Sequence, residues 1–212
     1  NYGKAGAATC IDYVLPALLN VQENRFLSAK QFCLLGYLEF ADFMSQAEGL
    51  DPNKDNDLDK LRELTALIDL RVAALIQVVI ENGKVPIVIG GGHNNSYGII
   101  KGCAAAKEKN SDVLNIDPHA DFRALEGRLS GNGFSYAQNE ALLGRYAVFG
   151  LHESYNNQAT LETFRSSAEL YYMSFDELLT FSTAERDRLF KDALRWLGSG
   201  QIGLELDLDS IT

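Results

Sequence analysis

The segment NIDPHADFR at residues 115–123 sets Asp117, His119 and Asp121 at alternate positions behind an apolar run. Read as a strand, that spacing turns all three side chains to one face. Two carboxylates and an imidazole in apolar surroundings lose hydration and repel one another unless a cation sits between them, so a metal ion is the chemistry this spacing favours. For any single residue the simpler reading is a solvated strand end with a hydrogen-bonded histidine. That reading weakens for the set, because His93 in GGGHNNSYG and the Asp207/Asp209 pair in ELDLD repeat the same chemistry at the ends of two further expected strands. Four carboxylates and two imidazoles, without cysteine, favour Mn²⁺ or a similar six-coordinate ion over structural zinc. Four acids also balance two divalent ions. A pair of metals about 3.5–4 Å apart would share a water and lower its pKa from about 15.7 towards about 7, which is the machinery of hydrolysis.

Such a set needs a frame, and the chain alternates expected strands with helices. A short helix is expected at 11–21, with Pro16 near its middle or at a break, and CLLGYLEF at 33–40 reads as a buried strand. The acids at 44–59 lack the glycine and closing glutamate of a calcium loop and read as a solvated loop. From Leu61 to Asn82, apolar residues at steps of three and four predict an amphipathic helix. VPIVI then reads as a strand running through three glycines to His93, followed by a helix from about Ser96. Further strands are expected at DVLNID, YAVFG, ELYYMS and QIGLELDLD, with helices between them. Alternation of this kind predicts an α/β fold with a mainly parallel sheet covered on both faces. Ligand sites in such sheets form outside the carboxyl ends of the strands. His93, the Asp117–Asp121 group, His152 and the Asp207/Asp209 pair all fall at that edge.

The chain has 212 residues, 46% of them hydrophobic and 23% charged, enough for one globular domain with a sizeable core. A net charge of −10 argues against nucleic acid or an anionic membrane as partner. No run approaches the ~18 apolar residues of a membrane span. Cys10, Cys33 and Cys103 are odd in number and form no CxxC, which suggests reduced thiols in a cytoplasmic setting. The opening at NYGKAGA and the stop just after an apolar run lead us to expect a chain incomplete at both ends.

GGGHNNSYG, NIDPHADFR and ELDLD, in this order, resemble the three metal motifs of the ureohydrolase superfamily, which contains arginase, agmatinase and formimidoylglutamase. The likeness runs from about residue 85 onward, with GKAGA near the start as a further match. It is strongest to the formimidoylglutamase-like and arginase-like bacterial branch. The resemblance implies a three-layer α-β-α arginase-like fold and two Mn²⁺. His93, Asp117, Asp121 and Asp207 would hold one ion, and Asp117, His119, Asp207 and Asp209 the other. Asp121 would also act catalytically, orienting a bridging hydroxide for attack on the carbon of a guanidino or formimino substrate. Ser130, Asn132, His152 and Glu153 would contact that small molecule, and a homo-oligomer is expected.

Two positions depart from the family pattern. Pro118 stands where alanine is usual, and proline suits only a strand end or edge. Leu129 and Ser130 stand where relatives often carry a histidine, and neither is an efficient acid or base near neutral pH. A catalytically impaired metal-binding or scaffold protein therefore stays open as an alternative. A dinuclear phosphoesterase is weaker, since GDxxD and GNH[DE] are absent. A nucleotide-binding loop at Gly90–Gly92 is weaker still, since neither GxGxxG nor GxxxxGK[ST] is present.

Overall fold

The computed structural model describes residues 7–211; most of the glycine-containing loop expected at the start lies outside them. Four strands form one parallel sheet in the order β3-β2-β1-β4: β1 (Ser111–Ile116), β2 (Leu143–Leu151), β3 (Leu170–Ser174) and β4 (Ile202–Leu206). The helices are α1 (Cys10–Leu19), α2 (Ala41–Ala47), α3 (Asp55–Glu81), α4 (Asn95–Lys107), α5 (Gly133–Asn139), α6 (Gln158–Ser166), α7 (Phe175–Thr180) and α8 (Thr183–Leu197). The expected α/β class, with helices on both faces of a parallel sheet, is what the chain adopts. No helix among the described residues is long and apolar enough to cross a membrane, and all three cysteines are free.

Each face has its own core. On one, Tyr97 and Ile100 of α4, Phe134 and Ala137 of α5 and Leu161 and Phe164 of α6 pack on Val113, Tyr146 and Val148 of the sheet. Tyr146 is the hub: its ring stacks on Phe134 at 4.2 Å and lies within about 6 Å of Phe122 and Phe164. On the other face, Phe190, Leu194 and Leu197 of α8 cover Leu114 and Ala147. Helix starts follow local chemistry. Asn157 caps α6 by accepting the Thr160 N–H, and Ser174/Glu177 and Ser182/Glu185 form reciprocal capping boxes on α7 and α8.

The hairpin of α3 and α4 is unusually close. A Cβ added at Gly98 would lie 2.9 Å from the Asp69 carbonyl oxygen, and one at Gly102 only 2.5 Å from that of Ala73. Two glycines one turn apart thus let the α4 backbone rest on α3, as small residues do wherever helix axes must approach. The α3 face beneath them, Leu64, Val72, Ala73 and Ile76, is buried.

Two expected strands do not form. Residues 33–40 are unpaired among the described residues, and Leu34, Leu35 and Tyr37 are exposed. Residues 85–89 are likewise unpaired, with Val85 and Ile87 exposed, so His93 does not end a strand but sits in the turn leading into α4. A short apolar run signals a strand only where a neighbouring strand supplies the other half of the ladder, and among the described residues no strand pairs with either run. The structure also corrects the reading of 115–121: β1 ends at Ile116, and Asp117, His119 and Asp121 occupy the loop beyond it.

Candidate metal centre

The loop after β1 is shaped by its own side chains. Asp117 is fully buried; its Oδ1 accepts the His119 N–H at 2.7 Å, which folds the chain back in one step. Asp121 has φ +45°, a left-handed conformation that aspartate tolerates better than most residues. Two neighbours hold the loop from outside. The Tyr146 hydroxyl donates to the Ala120 carbonyl at 2.9 Å and accepts from Asn115 Nδ2, which also donates to Asp117 Oδ2 at 3.0 Å. Asn156 accepts the Ala120 N–H through Oδ1 and donates through Nδ2 to the Pro118 and His152 carbonyls. The three groups therefore converge through a braced loop and not through strand alternation.

His93 reaches this loop from the turn that opens α4. Gly90 and Gly91, at φ +83° and +80°, turn the backbone sharply before it. The Ser96 hydroxyl donates to its carbonyl at 2.8 Å, and its ring meets Phe134 edge-on. His93 Nδ1 lies 2.8 Å from Asp121 Oδ2, 3.0 Å from Asp207 Oδ2 and 3.3 Å from Asp117 Oδ2, yet no hydrogen bond aligns with this buried nitrogen. One donor atom from each of the four residues falls within 4.8 Å of the others. Atoms that converge on a common centre without pairing off fit a cation better than a hydrogen-bonded cluster. Burial alone would lower the His93 pKa, but Asp117, Asp121, Asp207 and Glu205 together carry it far above the usual histidine value. Within the same group, Asp117 is held well below the usual carboxylate range by His119 and His93 in spite of its burial. Burial keeps Asp121 above that range. The two acids shift in opposite directions because the imidazoles outweigh burial at Asp117 and burial outweighs them at Asp121.

Beyond β4 the chain repeats the motif of the first loop: Asp207 Oδ1 accepts the Asp209 N–H at 2.9 Å. Asp209 and His119 form a second, more open group. His119 Nδ1 lies 3.4 Å from Asp117 Oδ1 and 3.7 Å from Asp209 Oδ2, with side chains 39% and 58% exposed. Asp117 raises the His119 pKa. The His119 ring stacks on Tyr155 at 5.5 Å, and Tyr155 stacks on His152 at 4.5 Å.

The expected substrate residues are distributed unevenly. His152 follows β2 and joins the metal loop directly, donating its N–H to the Pro118 carbonyl at 2.8 Å. Glu153 turns towards the Tyr172 hydroxyl and Arg165. Ser130 is half-buried in the turn before α5. Asn132 is fully buried, its amide donating to the Ala124 and Gly127 carbonyls and accepting from Arg128 and the Leu129 N–H. Its side chain is spent on that turn. Sequence reasoning passed over Arg128, which pairs with buried Asp69 of α3 at 2.8 Å, donates to the Asn94 carbonyl and lies over the Tyr97 and Tyr136 rings. Burial pushes Asp69 up to about 6 against the pull of Arg128. Asn115, Tyr146 and Asn156 were missed as well. So was Glu205, although the alternation that marked Asp207 extends two residues back to it.

Comparison with known proteins gives the same direction. The curated formimidoylglutamase of Macrococcus caseolyticus is 36% identical over 105 residues, 49% of this chain and 34% of that protein. That of Rhodococcus jostii is 27% identical over 151 residues, 66% of this chain and 45% of its own length. This chain thus spans less than half of either. A Trypanosoma cruzi formiminoglutamase variant solved with Mn²⁺ superposes with a TM-score of 0.59 at 23% identity, covering 68% of this chain and 48% of that one. Bacillus subtilis arginase gives 0.60 at 18% identity, covering 74% and 58%. At those identities the likeness speaks for the fold. The profile of the arginase family matches residues 27–212, and the chain belongs to that family.

Proposed function

We propose that this chain carries the metal-binding edge of a manganese-dependent hydrolase that cuts a carbon–nitrogen bond in a linear amidine or guanidine. The observation that carries the reading is the attitude of Asp117: Oδ2 faces His93 and Oδ1 faces His119, so one buried carboxylate looks into two adjacent ligand groups. His93, Asp117, Asp121 and Asp207 would hold one Mn²⁺, and Asp117, His119, Asp207 and Asp209 a second. Bound ions of this kind bring the pKa of a water towards neutrality and polarise the carbon under attack.

The chain's own residues supply the rest. Asp121, whose Oδ2 lies 2.8 Å from His93 Nδ1, would hold the attacking water's proton and pass it to the departing nitrogen. Asn156 and Tyr146 keep the Pro118–Asp121 backbone fixed while that charge moves, so little reorganisation is needed. Ser130, His152 and Glu153 are the proposed substrate contacts, with Asn132 framing the Ser130 turn. The curated relatives named formimidoylglutamase put formimidoylglutamate first among substrates.

The test is a Mn²⁺ count on the loaded full chain, followed by assay of formimidoylglutamate, arginine and agmatine with formamide and urea as readouts. Two ions per chain and formamide release are expected. A single ion that survives Asp209→Ala, or no product from any of the three, would refute the reading.

A further inference from the structure

β4 presents two unlike faces. Leu204 and Leu206 point outward and are more than half exposed, whereas Glu205 between them, like Asp207, turns inward with its side chain only 15% exposed. Glu205 lies opposite Asn115 in the β1–β4 ladder, one inward-facing step back along the sheet from the aspartates that end the two strands. Asn115 donates to Asp117 from this lower row. Glu205 meets a different residue: its Oε2 lies 3.5 Å from His93 Nε2, on the side of the ring opposite the three aspartates.

The two nitrogens of His93 thus face different tasks. Nδ1 points at Asp117, Asp121 and Asp207, and can give a lone pair to a cation only if the ring proton sits on Nε2. The group facing Nε2 is a carboxylate, the acceptor that fixes this tautomer and makes Nδ1 a better donor. We propose that Glu205 is the positioning residue of His93: it accepts the Nε2 proton, fixes the ring with Nδ1 towards the metal, and does so without binding the metal itself. The inference rests on the metal-hydrolase reading above and extends it to a residue outside the ligand set. Asn115 and Glu205 then form a supporting row, one acting on a bridging carboxylate and the other on the imidazole.

Titration of the metal-free full chain with Mn²⁺ by calorimetry tests this without any assay of activity. Glu205→Met keeps side-chain length and removes the acceptor, while Glu205→Gln keeps an amide oxygen to accept from Nε2. Loss of such a partner typically costs about 10- to 100-fold in metal affinity, so Glu205→Met should weaken the ion held by His93 by that factor at unchanged stoichiometry. Glu205→Gln should recover most of the loss, and thermal melts of the two metal-free variants should agree. Affinity within about twofold of wild type for Glu205→Met would overturn the inference, and so would loss of a whole equivalent of Mn²⁺, which would make Glu205 a ligand. Glu205→Gln as weak as Glu205→Met would also overturn it. Wild type that takes up no Mn²⁺ would remove the metal reading as well, and so separates the two failures.

Discussion

The ends of β1 and β4 carry the same local motif, an aspartate whose side chain accepts the N–H two residues on, yet they are built to different depths. Asp117 is fully buried, and its loop is tied by Tyr146, Asn115 and Asn156. Asp207 and Asp209 follow β4, an edge strand among the described residues, and the Asp207 N–H and the Ser210 hydroxyl both reach back to the Ile116 carbonyl of β1. Burial makes each hydrogen bond at the β1 end costly to leave unmade, whereas water replaces those lost at the β4 end. The half of the site around His93 is therefore preorganised. The half around His119 and Asp209 is open to solvent.

The comparison breaks most visibly under Asp117→Ala. In the proposed two-ion site both ligand groups share this carboxylate, so the loaded protein should fall from two Mn²⁺ to none, whereas Asp209→Ala should lose only the ion of the open half; metal analysis distinguishes the two. Arg128→Met comes next. Removing one partner of a buried ion pair typically costs about 3–5 kcal/mol, and a denaturant melt should show that loss, with the His93 turn loosened through the Asn94 carbonyl. Asn156→Ala leaves the Ala120 N–H without its acceptor and the Pro118 carbonyl with the His152 N–H as its remaining donor, and should cost about 1–3 kcal/mol. The matching change at the other end, Ser210→Ala, should cost no more than about 0.5 kcal/mol, as exposed surface changes usually do. Equal losses for Asn156→Ala and Ser210→Ala would abolish the distinction between the ends. The most local effect is expected at Tyr155, where losing one ring stacked on His119 is worth about 0.5–1.5 kcal/mol and should weaken only the proposed second Mn²⁺.

What could be read from the sequence was whatever announces itself by residue type and period. Asp-x-His-x-Asp, Asp-x-Asp and the glycine-flanked His93 identified the ligand candidates, and the helix–strand alternation put them at the carboxyl edge of a parallel sheet. The apolar runs at 33–40 and 85–89 were misread because strand formation depends on a neighbour that periodicity cannot supply. The braces were invisible for a related reason. Asn156 and Tyr146 act on backbone carbonyls and amides far away in sequence, and Arg128 finds Asp69 fifty-nine residues earlier; nothing in the local pattern of any of them signals a partner. Glu205 was legible by alternation alone, but without the ring of His93 in view it read as one more acid.

The contact of α4 with α3 through Gly98 and Gly102 gives the hairpin a mechanical meaning. His93 is carried on the turn that opens α4, and the two glycines leave no slack between the helix axes, so the hairpin works as a stiff lever with the imidazole at its tip. Widening the gap at Gly102 by a single methyl group would swing that tip. On the proposed metal reading, the placing of the His93 ligand would thus depend on helix packing more than two turns of helix away.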